Sequence, residues 1–312
     1  GYEPYEVGGG VVAMLDGQPD GKVILLRADM DALPMAEESG EPFASKNPHA
    51  AHTCGHDTHT AMLLGAAKAL HAVRDRLRCR VKLLFQPCEE GRPSGARVMC
   101  EHGVMEGVDC VLMCHVNCGD PVHVVSCCSG VTNATSVAFK ISLDGRAVHV
   151  ASPHCGVDAL AAGVKLYNGI QLLVSREVDP FDVCVMSVCT MHAGNTVATN
   201  AEHCELEGSI RCLKDDTMRW AMERLARLAR LTAEECGVRW AIDWSGEPLP
   251  SAHNDPALYA AFRASAEKVV GPERFCRLLP SPGAEDFAYY EQRKPGLLFR
   301  LGMRNPAKGA CH

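Results

Sequence analysis

Residues 52–60 read HTCGHDTHT, which puts His52, Cys54, His56, Asp57 and His59 within one short stretch. Cys54 and His56 flank Gly55, and a tight turn there would aim a thiolate and an imidazole at one metal ion. Two further segments carry matching chemistry. QPCEE supplies the adjacent carboxylates Glu89 and Glu90, and MCHVN supplies His115. Glu90 and His115 would complete a mixed sulfur, nitrogen and oxygen set with Cys54 and His56. Neighbouring carboxylates do not normally bind the same ion together, so the pair divides into a ligand and a general base, the latter Glu89. A rival chemistry makes Cys54 a nucleophile with His56 or His52 as its base. It leaves Glu89, Glu90 and His115 without a function. His52, His59, His71, His192 and His203 read as structural.

The elements that must position these groups are visible in the hydrophobic pattern. KVILLRADM (22–30), RVKLLFQP (80–87) and DCVLMCHV (109–116) are short, almost continuous apolar runs, the pattern of buried parallel strands. THTAMLLGAAKALHAV (58–73) reads as a helix with Asp57 as its N-cap. The strands run into Asp29 and Asp31, Glu89 and Glu90, and His115, so the clusters meet at the carboxyl edge of an α/β sheet, where sites form. From about residue 133 the order becomes strand, helix, strand, strand, helix, strand, a ferredoxin-like unit. The expected domains are 1–132 with 246–312, and an inserted 133–245. GGG at 8–10 reads as a turn, because no helix with a GxGxxG fingerprint follows it.

With 312 residues, 47% hydrophobic and 22% charged, the chain can bury a large core. A formal charge of −7 and the lack of a basic aromatic stripe argue against nucleic acid as a partner. No run approaches the ~20 apolar residues of a membrane helix, and the first residues lack a signal-peptide layout. The seventeen cysteines lie largely in strand-like apolar runs and form no CxxC pair, which points to a reducing, cytoplasmic setting.

RADMDALP, HTCGHDTHTAMLLGAA, FQPCEEG, CHV, GRAVHVASPH and GAEDFAYY occur in that order over residues 27–290. Together they resemble the metal-dependent amidohydrolases of the aminoacylase, carboxypeptidase G and hippurate hydrolase kind, above all the branch with plant indole-acetyl-amino-acid hydrolases. The resemblance implies a zinc-exopeptidase-like catalytic domain carrying a lid and dimerisation domain, in a homodimer or homotetramer. It implies two divalent ions per subunit, zinc or manganese first and cobalt or nickel next. Cys54, His56, Glu90 and His115 would bind them, Glu89 would activate water, and Asp31 and Asp57 would support the ligands. His149 would reach a neighbouring subunit's site and stabilise the tetrahedral intermediate, and Arg211 would hold the substrate's carboxylate.

The implied reaction is hydrolysis of the amide bond of an N-acyl amino acid or a similar peptide-like conjugate. The alternatives are a dipeptidase or aminopeptidase of the same family, or an inactive binding homologue. Three departures stand out. The chain stops at GACH, with His312 short of the family's last histidine ligand, and it lacks the usual first helical segment; both suggest truncation. Ala198 occupies a position where the family carries asparagine, leaving Asn195 or Asn200 to compensate.

Overall fold

A computed structural model describes residues 2–308, so His312 lies outside the described residues. The strands and helices follow in chain order. First come β1 Tyr5–Val7, β2 Gly10–Leu15, β3 Val23–Asp29, α1 His56–Ala72, β4 Arg80–Gln86, α2 Gly95–Glu101 and β5 Cys110–Pro121. Next are β6 Val125–Cys127, β7 Gly130–Asn133, β8 Thr135–Asp144, α3 Ala159–Glu177, β9 Cys184–Ala193, β10 His203–Cys212, α4 Asp215–Cys236 and β11 Arg239–Trp244. The last are β12 Ala252–Asn254, α5 Pro256–Val270, β13 Phe275–Arg277, α6 Ala288–Glu291 and β14 Gly296–Arg304.

Two compact units emerge. Unit 1 holds residues 1–132, 252–279 and 285–312; unit 2 holds 133–251 and 280–284. The sheet of unit 1 runs β1-β2-β4-β3-β5-β14-β6-β13. Its centre is parallel, β4 with β3, β3 with β5 and β5 with β14. Their carboxyl ends point the same way, with Asp29 ending β3 and Glu89 and Glu90 following β4, whereas His115 lies within β5, which runs on to Pro121. On one face of these strands Leu25, Leu84 and Val111 are wholly inaccessible; on the other Val81 and Leu83 are buried and Leu26 and Leu112 partly covered, which accounts for the apolar continuity.

Unit 2 is a four-stranded antiparallel sheet in the order β11-β8-β10-β9. With α3 and α4 it makes the ferredoxin-like arrangement. The buried stripe of α4 (Met218, Ala221, Leu225, Ala229, Ala233) repeats every three or four residues. It packs with Leu166 and Ile170 of α3 and with Ile141, Leu206 and Ile210 of the sheet into one apolar core. Asp158 caps α3 and Asp255 caps α5, each carboxylate accepting two backbone N–H bonds.

One expected cap is wrong. Asp57 does not cap α1; the helix starts at His56, and its N-cap is Gly55 with no side-chain cap bond. Asp57 is an exposed residue of the first turn, where its charge favours the helix dipole. All the described cysteines are free thiols. Among the described residues no helix is long and apolar enough to cross a membrane.

Candidate metal centre

Gly55 determines how the HTCGHD segment is used. Its φ is +87°, in the left-handed region open to glycine, and a Cβ there would lie 2.6 Å from Cγ2 of Val116. This bend ends the loop against β5 and starts α1 at once, so Cys54 and His56 face the same point. The ligand atoms of Cys54, His56 and His115 all lie within 4.8 Å of one another, and so do those of His56, Glu89 and Glu90. Cys54 Sγ is 3.8 Å from His115 Nε2. His56 belongs to both groups. The four residues expected to be ligands, and the expected base, thus converge within unit 1.

The nitrogen atoms are oriented for ligation. His56 donates from Nδ1 to Asp31 Oδ1 at 3.1 Å, and its Nε2 is buried with no hydrogen-bond partner. Such an orphaned atom is costly unless something binds it. His115 donates from Nδ1 to the carbonyl of Val116 at 2.6 Å, leaving Nε2 toward Cys54. These are the outer contacts expected of metal-binding imidazoles. The donor set therefore fits a divalent transition metal: one thiol, two imidazole nitrogens fixed by hydrogen bonds on their far side, and adjacent carboxylates.

Charge in the site points the same way. Burial draws His115 down to about 4, so the ring is neutral and its lone pair available. Burial, then the nearby Glu90 and Glu89 carboxylates, push the Cys54 thiol far above its ordinary range. Nothing around Cys54 lowers its thiol toward the range that a cysteine nucleophile needs. Burial, then Glu285 and Asp286, raise Glu89 well above the usual carboxylate range, against the pull of Arg27. Burial works against ionisation of Asp31, but hydrogen bonds from His56 and from the backbone of Glu90 and Glu89 hold its pKa below the ordinary value.

Asp31 links His56 to the backbone N–H of Glu90. Asp57 does not reach the cluster; its described side-chain bond is to Thr58. In unit 2, His149 is exposed, bridged to Thr199 and accepting the Ala151 N–H at Nδ1. Arg211 is half-buried on β10 and donates to the carbonyl of Pro282 at 3.1 Å. Asn200 cannot stand in for the asparagine missing at Ala198. Its amide is fully occupied, accepting from Val148 N–H and donating to the carbonyls of Arg146 and Val157. Asn195 remains exposed, on a cavity with His192, Thr199 and Glu202.

Sequence reasoning missed the layer beneath the ligands. Arg27, 3% exposed, forms ion pairs with Asp29 at 2.7 Å, Asp286 at 2.9 Å and Glu285 at 3.3 Å. Asp286 also accepts from Gln86, Ser94 and the Ala96 backbone, and its own N–H donates to Glu89. Asp29 takes the Nδ1 hydrogen of His59 at 2.5 Å, because the Nε2 of His59 accepts the Val116 N–H. A signal was available: Arg27 and Asp29 alternate along a strand otherwise buried, so they must share a face and be paired.

An α/β metal-binding hydrolase architecture with a ferredoxin-like insertion is the class that fold and site define. The model of Peptidase family M20/M25/M40 matches residues 25–312. Thermostable carboxypeptidase 2 of Saccharolobus solfataricus is 35% identical over 97% of this chain and 76% of its own length. N-acyl-L-amino acid amidohydrolase of Geobacillus stearothermophilus is 35% identical over 89% of this chain and 78% of its own. A Bacillus subtilis structure described as a dinuclear metal binding peptidase from the M20 family superposes with a TM-score of 0.82 at 31% identity, covering 96% of this chain and 78% of that one. The chain belongs to Peptidase family M20/M25/M40.

Proposed function

We propose that the chain is a metallo-amidohydrolase that cleaves the amide bond of N-acyl amino acids, releasing a carboxylic acid and an amino acid. The observation that carries this reading is the convergence of Cys54, His115, Glu89 and Glu90 on His56, whose buried Nε2 has no hydrogen-bond partner. The names of two relatives, an N-acyl-L-amino acid amidohydrolase and a carboxypeptidase, support the bond type. Cys54, His56, Glu90 and His115 would hold a pair of divalent ions, zinc or manganese, as the dinuclear description of the B. subtilis protein suggests. Such ions acidify water and polarise a carbonyl.

The chain's own residues do the rest. Asp31 fixes the ring of His56 and the backbone of Glu90. Glu89 takes a proton from water and delivers it to the leaving amine, and its carboxyl is held by the N–H of Asp286. Arg211 holds the substrate's carboxylate in a planar two-point contact. His149 donates to the developing oxyanion of a partner subunit's site, and its exposure suits that role.

Paired substitutions test the division of labour. Glu89→Gln should keep its metal and lose turnover of an N-acetyl amino acid by roughly 10²–10⁴-fold, the usual worth of a general base. Glu90→Gln should lose metal as well, read by metal analysis after dialysis. Wild-type turnover in Glu89→Gln would refute the assignment.

A further inference from the structure

The ladder between β3 and β5 stops at the pair Arg27–Met113, while β5 stays paired with β14 through Val116 and on to Pro121. Past that point the backbone groups of β5 that faced β3 must find other partners. At Val116 they find imidazoles. The Val116 N–H donates to Nε2 of His59 at 2.9 Å, and the Val116 carbonyl accepts from Nδ1 of His115 at 2.6 Å. His59 is held in turn. Its Nδ1 donates to Oδ1 of Asp29 at 2.5 Å, and the other oxygen of that carboxylate takes Arg27. A continuous chain of contacts therefore runs from the buried Arg27 through Asp29, His59 and Val116 to the ring of His115, whose Nε2 lies beside Cys54.

His59 also belongs to a group with Asp29 and His56 whose ligand atoms lie as close together as those of the metal cluster. It is not a ligand, because both ring nitrogens are spent: Nδ1 gives its hydrogen to Asp29, and the lone pair of Nε2 takes the Val116 N–H. The ring is 2% exposed and meets that of His115 edge-on, with centroids 4.5 Å apart. We propose that His59 is a positioning residue for the metal centre: it fixes the Val116 backbone that fixes the His115 ring, so that Nε2 of His115 is aimed before an ion binds. The inference rests on the reading of Cys54, His56 and His115 as ligands, and it adds a residue that touches neither ion nor substrate. Loss of such an outer contact ordinarily costs about 10–100-fold in metal affinity.

Cobalt(II) is the probe, because a thiolate ligand gives it an intense near-ultraviolet absorption and its visible bands report the ligands around it. It is titrated into the metal-free full chain in competition with a chelator. His59→Phe keeps a ring and removes both nitrogens; it should bind cobalt about 10–100-fold more weakly, with altered visible bands at saturation. His59→Gln keeps an acceptor for the Val116 N–H and should recover most of the affinity and the parent spectrum. Unchanged affinity and spectrum in His59→Phe would overturn the proposal. So would a loss that His59→Gln shares in full, which would make His59 a packing residue. Should His59→Phe fail to fold, hydrogen exchange in the metal-free parent decides instead: the Val116 amide and the Nδ1 hydrogen of His115 should exchange slowly, and fast exchange of either overturns the proposal. If the parent and His115→Ala give the same cobalt spectrum, without thiolate absorption, the assignment of Cys54 and His115 as ligands fails and the inference with it; a negative result in His59→Phe alone leaves that assignment standing.

Discussion

Around the carboxyl ends of β3 and β4, unit 1 buries Arg27, Asp29, His56, His59, Gln86, Glu285 and Asp286. Between its sheet and its two helices, unit 2 buries Phe139, Leu143, Leu166, Leu206 and Leu225, and its buried polar residues are Asn133, Thr135, Ser136, Thr232 and Ser251, all uncharged. The second interior draws its stability from apolar area and dispersion. The first spends much of that gain on desolvating charges, and what it obtains is position: Asp31 holds His56, Asp29 holds His59, and the N–H of Asp286 holds Glu89. Unit 1 should therefore be sensitive to pH and to loss of one charge, and unit 2 indifferent to both.

The sharpest way to break this contrast is Arg27→Met. It strands Asp29 and Asp286 without their cation, and removing one partner from a buried ionic cluster costs about 3–5 kcal/mol. Urea unfolding should show that loss, and hydrogen exchange should quicken in β3, β4 and β5 but not in β8–β11. Uniform quickening in both units would mean that their stabilities are not separable. Leu166→Ala in unit 2 is the counterpart. It should cost about 2–5 kcal/mol, chiefly through the cavity it leaves, and the cost should not vary between pH 5 and pH 8 or with added metal.

His149→Ala divides the units by function. A lost oxyanion contact of ~3 kcal/mol corresponds to a rate lower by a factor on the order of a hundred, with metal content unchanged. Mixing His149→Ala with Glu89→Gln subunits should then recover activity that neither has alone, provided the histidine acts across a dimer. No recovery after demonstrated subunit exchange would confine His149 to its own chain.

The last effect is a slope rather than a step. In the metal-stripped protein, burial raises Glu285 to about 7, against the attraction of Arg27 and with the repulsion of Asp29 and Asp286. In the unfolded chain a glutamate ionises near ~4.3. A folded pKa above the unfolded one leaves this contribution intact below ~4.3 and removes it as the pH climbs to the folded value. Unfolding measurements across that window should show Glu285→Gln gaining on the wild type until about pH 7 and then running parallel to it. A constant gap would mean that Glu285 titrates normally.

How much of this could be read from the chain depended on the range of the interaction. Buried strands announce themselves by continuous apolar runs, and the ferredoxin-like unit by its element order, so β3, β4, β5 and β8–β11 were legible. That Cys54, His56, Glu90 and His115 gather in one place was legible because their residue types matched and each sits in or just beside an apolar strand or a helix start. Asp57 misled because acidic N-caps are common, whereas a glycine cap with positive φ leaves no mark except the glycine itself. The contact of Arg27 with Asp286 spans 259 positions. No local pattern encodes such a partner; GAED shows two acids, and only the fold shows that they are buried around one guanidinium.

The peptide group of Val116 offers a different kind of robustness. Its N–H goes to His59 and its carbonyl to His115, so one residue's backbone holds two imidazoles in the orientations they need. A support made of main-chain atoms is carried by nineteen of the twenty amino acids, and proline alone would delete half of it. Drift at position 116 can therefore alter how β5 packs without releasing either ring, and the side chain is free to vary as far as its fit against Gly55 allows.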